Sequence, residues 1–153
     1  MENVLNYNSD EQAIIFFSAF DLTYKKQQEI FSLTENFSDL LLNFNKYSSQ
    51  IEKYINEKAM FDDISEKISN GFLSSYINNL NNQEIKCVTI ISETYPESLK
   101  EIDQPPYILF CKGDVSLLKQ DGIAIVGTRM PTSYGKIVTE QFAKGLVLND
   151  FVI

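Results

Sequence analysis

The sequence predicts an α/β protein whose first half is helical and whose second half opens a parallel sheet. Three observations carry that reading. All six glycines lie at or after Gly71, and all four prolines at or after Pro96. The spacing of apolar residues changes from helical to strand-like near residue 83. A strand, loop, helix, strand series then runs from Ile123 to Ile153. The boundaries that follow are a helical domain with its linker over residues 1–82 and a second domain over residues 83–153.

Size and composition narrow the class before any motif is read. A chain of 153 residues, 44% hydrophobic, with 11 Phe and 8 Tyr, can fill a core, which excludes disordered and low-complexity proteins. No apolar run reaches the ~18 residues a membrane helix needs. The N-terminus MENVLNYNSDEQ lacks the basic-then-apolar order of a signal peptide. The expectation is a soluble, cytoplasmic protein with no membrane partner.

The first half reads as a small helical domain. Ala13, Ile14, Phe17 and Phe20 recur at helical spacing behind a cap at Asp10, and Leu40, Leu41 and Phe44 follow a cap at Ser38. Ser49 and Glu52 have capping-box spacing ahead of Ile51, Tyr54, Ile55 and Ala59. A further helix through Ile64 and Ile68 should stop at Asn70-Gly71, and Phe72, Tyr76, Ile77 and Leu80 supply the last one. Asn78-Asn79 and Asn81-Asn82 are turn formers and read as the linker.

Strand chemistry begins after that linker. Lys86 to Ile91 is rich in β-branched residues, and Tyr107 to Cys111 reads as a second strand closed by Gly113-Asp114. Between them, Tyr95-Pro96 opens a turn, Glu97 to Ile102 forms one helical turn, and Pro105-Pro106 ends it. A brief helix through Val115 to Leu118 leads to Ile123-Ala124-Ile125-Val126, an uninterrupted apolar run expected of a parallel strand buried on both faces. The loop Gly127 to Gly135 follows, then a helix whose inner face is Val138, Phe142, Ala143, Leu146 and Val147. Asn149-Asp150 ends that helix, and Phe151-Val152-Ile153 starts another strand. The series is the opening unit of a Rossmann-like sheet.

Several chemistries are excluded by residue type. With no His and only Cys87 and Cys111, the chain cannot build a Cys/His zinc site, a Ser-His-Asp triad or a Cys-His pair by itself. The two cysteines, each inside a strand, read as reduced buried thiols. A net charge of -8 argues against generic polybasic nucleic-acid binding, so any anion site must be local. A helix-hairpin-helix needs a glycine turn, and none precedes Gly71.

The loop supplies the local site. A glycine lets the backbone approach an anion while the next helix presents free amides and the positive end of its dipole. Arg129 is the single arginine of the chain and can give two parallel charge-assisted bonds to a phosphate. Gly127 and Gly135 do not make G-x-G-x-x-G, and Gly135-Lys136 lacks the rest of a Walker A motif. A dinucleotide fingerprint and ATPase activity are therefore not expected.

The pattern Tyr95-Pro96, Leu99, Ile102, Pro105-Pro106, Leu109 and Gly113, followed by Ile123-Ala124-Ile125-Val126-Gly127-Thr128-Arg129 and Tyr134-Gly135, resembles the DNA-processing protein A family, also called Smf. The resemblance runs from about Val88 to Ile153. It implies a non-enzymatic, cofactor-free protein of natural transformation and recombination that binds single-stranded DNA, forms a homodimer and assists loading of the RecA recombinase. Carried over, Gly127, Thr128 and Arg129 match the loop that grips a DNA phosphate. Tyr134 and Gly135 match the structural end of that loop, and Lys136 is a second phosphate contact on charge alone. Against this family, the chain reads as an N-terminal fragment that stops inside the second Rossmann strand. A nucleotide-binding sensor or enzyme using the same loop, and an inactive fragment or helical interaction module, are the alternatives.

Overall fold

The computed structural model describes residues 7–153. They divide into two compact units, one ending at Val115 and one spanning Ser116–Ile153.

In the first unit six helices precede a two-stranded sheet: α1 Ser9–Phe17, α2 Tyr24–Phe31, α3 Asp39–Leu42, α4 Phe44–Ile55, α5 Lys58–Ser69 and α6 Phe72–Asn82. The sheet is β1 Lys86–Thr89 and β2 Ile108–Cys111, with the short α7 Glu97–Lys100 between them. The helix-then-strand order agrees with the α/β class. Helix α1 is central, since Ala13 to Phe17 are all buried, as befits a helix enclosed on every side. It packs on α6 and β1, while α4 packs on α2, α3 and α5. Phe16 meets Phe17, Phe20 and Phe72, and Phe31 meets Phe17, Phe37 and Tyr107, with ring centroids 4.7–6.2 Å apart. These edge-on and tilted pairs add to simple area burial.

Several helix starts differ from the sequence expectation. Helix α1 is capped by Asn8, not Asp10: Asn8 Oδ1 accepts from the amides of Asp10 and Glu11, and Asn8 N donates to Glu11 Oε2, each at 3.0 Å. The Asp10 carboxylate instead accepts from Ser38 N at 2.7 Å. Ser38 stands at the start of α3, but its side chain makes no capping bond. Ser49 is no cap either, because α4 begins five residues earlier; Tyr47, Ile51 and Ile55 are its buried stripe. The Asn-rich stretch is helix rather than linker. Burial of Leu80 draws α6 through it to Asn82, and the chain turns at Gln83 to Ile85, with Glu84 at φ 58°. The stop at Asn70-Gly71 is where expected, with Gly71 in the left-handed region at φ 73°.

Strands β1 and β2 pair antiparallel, with Lys86 opposite Cys111 and Cys87 opposite Phe110. Successive side chains alternate faces, so Cys87 and Cys111 point to opposite sides of the ladder and remain free thiols. Tyr7, just before α1, Glu11 within it and the turn after β1 tie these elements together. Tyr7 Oη accepts from Cys87 N at 2.9 Å, and Ser92 Oγ accepts from Thr89 N at 2.9 Å while donating to Glu11 Oε1 at 2.6 Å. Buried Tyr95 donates through its hydroxyl to Pro106 O at 2.7 Å, so the Tyr95-Pro96 and Pro105-Pro106 turns are pinned to each other.

The second unit contains the end of a 3₁₀ turn, Val115–Lys119, and one long helix, α8 Ser133–Val147. The expected strand at Ile123 to Val126 does not form as a ladder member. Its one pairing is a parallel bridge, Gly122 to Val152, with Ile123 N donating to Val152 O at 2.8 Å. Burial on both faces is also not observed: Val126 is 90% exposed, and Ile123 and Ile125 are exposed as well. A parallel strand is buried only when strands flank both its edges and helices cover it. Among the described residues of this unit a single bridge is all that flanks it, and the segment stays exposed. On the expected inner face of α8, Val138, Ala143 and Leu146 are half-buried, and Phe142 and Val147 are exposed.

Candidate nucleic-acid interface

The expected anion loop lies wholly in the second unit. Charge is divided unevenly along the chain: residues 1–115 carry 18 acids and nine lysines, residues 116–153 three acids and four basic groups. An anion meets a weakly positive unit in one case and a strongly negative one in the other.

The loop is built by two threonines. Thr128 Oγ1 accepts from Met130 N at 3.3 Å, which folds the chain back just after Gly127. Thr132, with extended backbone at φ -66° and ψ 163°, caps α8 by accepting from Gly135 N at 3.1 Å. The first bond of the helix proper runs from Lys136 N to Thr132 O at 3.0 Å. Among the described residues, the amides of Ser133 and Tyr134 have no acceptor. No acid stands in the first turn of α8. Free amides, the positive end of a 15-residue helix and the absence of a competing carboxylate make this end receptive to an anion.

The sequence-predicted residues all fall on this one stretch. Gly127 is open, with nothing within 4 Å of where a Cβ would stand. Arg129 is exposed and makes no ion pair among the described residues. Lys136 is exposed in the first turn of α8, and Tyr134 is exposed beside it. Gly135 packs closest to the cap, its hypothetical Cβ lying 3.4 Å from Thr132 Oγ1. Thr132 is the functional residue that motif reading passed over. Its signal was a Thr standing just ahead of a helix.

The remaining polar chemistry sits in the first unit and is structural. Burial pushes the Tyr7 hydroxyl up to about 12 and the Cys87 thiol up to about 11, and likewise raises the Tyr107 hydroxyl to about 12. A thiol raised in that way is protonated and inert near neutrality. Among the described residues no three His, Cys, Asp or Glu side chains gather as a metal site. Nor, among the described residues, is any helix long and apolar enough to cross a membrane.

The segment that carries the loop matches known proteins. Residues 86–153 match the family described as DNA recombination-mediator protein A. DNA processing protein DprA of Bacillus subtilis (strain 168) is 47% identical over 72 residues, which are 46% of this chain and 24% of that protein. DNA processing protein DprA of Streptococcus pneumoniae (strain ATCC BAA-255 / R6) is 37% identical over 71 residues, 46% of this chain and 25% of that one. The matched stretch thus spans about a quarter of the length of these relatives. No solved structure matches the chain.

Proposed function

We propose, from the match of residues 86–153 to the family described as DNA recombination-mediator protein A, that this chain serves DNA processing in recombination and transformation by gripping single-stranded DNA. The carrying observation is the exposed Gly127-Thr128-Arg129 turn leading into the acid-free, Thr132-capped start of α8. Arg129 supplies a two-pronged contact to a phosphate, Gly127 lets the strand approach, and the Ser133 and Tyr134 amides complete the cradle. Lys136 adds a second positive charge. The protein acts by binding, not by a covalent step, and hands the strand to a RecA-type recombinase as a homodimer with a Rossmann-like core.

The test is a salt titration of oligonucleotide binding by fluorescence anisotropy, on this chain and on the same residues in a protein of full family length. Replacing Arg129 by Ala should weaken binding by roughly 1.5–3 kcal/mol, the range for a hydrogen bond to a charged group. The log-log salt slope should become shallower by about 0.7, the value for one phosphate contact on a single strand. Arg129→Lys should restore only part of the affinity, because the charge stays and the fork geometry goes. Unchanged affinity and slope in the Ala variant would refute the phosphate role. Equal competition by mononucleotides would favour a nucleotide-binding sensor instead.

A further inference from the structure

Asn70-Gly71 ends α5, and the corner it makes with α6 holds the single Asn-Gly pair of the chain. It lies outside the stretch that matches known proteins. Asn70 has φ -97° and ψ 6°, and Gly71 follows in the left-handed region at φ 73°. Both residues are exposed, and nothing lies within 4 Å of where a Gly71 Cβ would stand. Asn70 N donates to Glu66 O at 3.0 Å, but among the described residues Gly71 N and Asn70 Nδ2 have no acceptor. Asn70 Oδ1, by contrast, accepts from Phe72 N at 3.1 Å. The side-chain amide is thus held with its oxygen polarised and its nitrogen free, beside a main-chain nitrogen that is also free.

We propose that this corner is a self-modifying site, where Asn70 loses ammonia through a succinimide closed by Gly71 and so records the age of the molecule. Hydroxide takes the Gly71 amide proton, and the nitrogen attacks Asn70 Cγ to form the ring bond. Negative charge then gathers on Oδ1, where the Phe72 amide already donates, as a donor does in an oxyanion hole. The Cγ–Nδ2 bond breaks, and Nδ2 takes a proton from water and leaves as ammonia, which restores the hydroxide. A second water opens the ring at Cγ to give aspartate, or at the main-chain carbonyl to give isoaspartate. Attack requires Asn70 to turn about ψ, and Gly71 absorbs that rotation because it takes either sign of φ and has no Cβ to strike the ring. Every other Asn is followed by a residue with a side chain. The product is felt in the core through Phe72, which packs on Phe16 with ring centroids 6.2 Å apart. Isoaspartate routes the main chain through Cβ and Cγ, so the link between α5 and α6 lengthens and Phe72 loses its seat.

The experiment ages the whole folded chain in buffer near neutral pH and one pH unit above, with peptide mass spectrometry at intervals. Asn70 should gain the mass difference between OH and NH2, and isoaspartyl methyltransferase should label the product. Exposed Asn36, which Phe37 follows, should react about tenfold more slowly or less. The rate at Asn70 should rise about tenfold between the two pH values, because the Gly71 amide must give up a proton it holds far above this range. Gly71→Ala should slow the reaction about tenfold or more, since a Cβ then crowds the ring. Asn70→Ser keeps an oxygen for the Phe72 amide; it should abolish the reaction and hold its urea midpoint on ageing, while the parent midpoint falls. Far-UV circular dichroism checks that each variant is folded, and the Ser variant decides if the Ala variant is not. An Asn70 that keeps its amide in the folded chain and reacts only in urea overturns the proposal. A rate that ignores pH overturns it too, as does an equal fall in midpoint for the parent and the Ser variant.

Discussion

Replacing Tyr7 by Phe removes one oxygen atom and leaves the ring in place. That oxygen accepts from Cys87 N at 2.9 Å, across 80 residues of sequence, and Cys87 is only 6% exposed. The amide faces away from β2, so no ladder carbonyl can replace the lost acceptor. Leaving a buried donor unsatisfied costs about 1–3 kcal/mol. Tyr7 itself is half-buried, which lets water reach the vacated position in part, so the expected loss is in the lower half, roughly 1–2 kcal/mol. For a chain of this size that is a fall in melting temperature of roughly 2–8 °C. Urea unfolding followed by far-UV circular dichroism measures the energy, and exchange of the Cys87 amide locates it. A variant that keeps the parent midpoint and the parent exchange rate at Cys87 would show that the bond contributes nothing to the attachment of β1.

Two further outcomes follow from the same geometry. Tyr7, Cys87 and Tyr107 all hold their protons more tightly when folded than when unfolded, so the unfolded chain releases protons first as pH rises. The contribution of these three groups is fully present below about pH 9 and is lost between about pH 9 and 12, so urea midpoints should fall across that window; a midpoint rising through it would contradict the burial of these groups. Thr132→Ala deletes the cap on α8 and should cost about 1 kcal/mol, seen as lower helicity and fraying confined to Ser133 to Gly135 in exchange experiments.

Periodicity and punctuation revealed most of the fold. The stop at Asn70-Gly71 was legible because a residue in the left-handed region there is naturally glycine, whereas α8 begins at Ser133, inside the stretch expected as loop up to Gly135. Helix starts in the first half were not, because capping residues are common and the local pattern cannot say which one is used. Asp10, Ser38 and Ser49 were all plausible caps. The choice of Asn8 depends on Glu11 reaching back to its amide, while Asp10 is engaged by the distant Ser38. The Asn-rich stretch misled for a related reason: its propensity for turns yields to the burial of one residue, Leu80. At the candidate site, Arg129 and Gly127 were legible from the loop composition. Thr132 was not, since its role appears only once the Gly135 amide is seen to point at it.

The attachments made by Tyr7, just before α1, and by Glu11 within it set an order of events during synthesis. Their partners, Cys87 and Ser92, lie about 80 residues downstream. At the usual pace of translation, roughly 5–20 residues per second, those partners are made some 4–16 s after α1. Throughout that interval the nascent chain lacks the strand whose Cys87 packs with Ile15, while Ile14, Phe16 and Phe17 can already meet the helices that follow. Helix α1 is thus closed on its strand side only after α2 to α6 have been made, and that side stays open to chaperones and to misassociation while the chain is still growing.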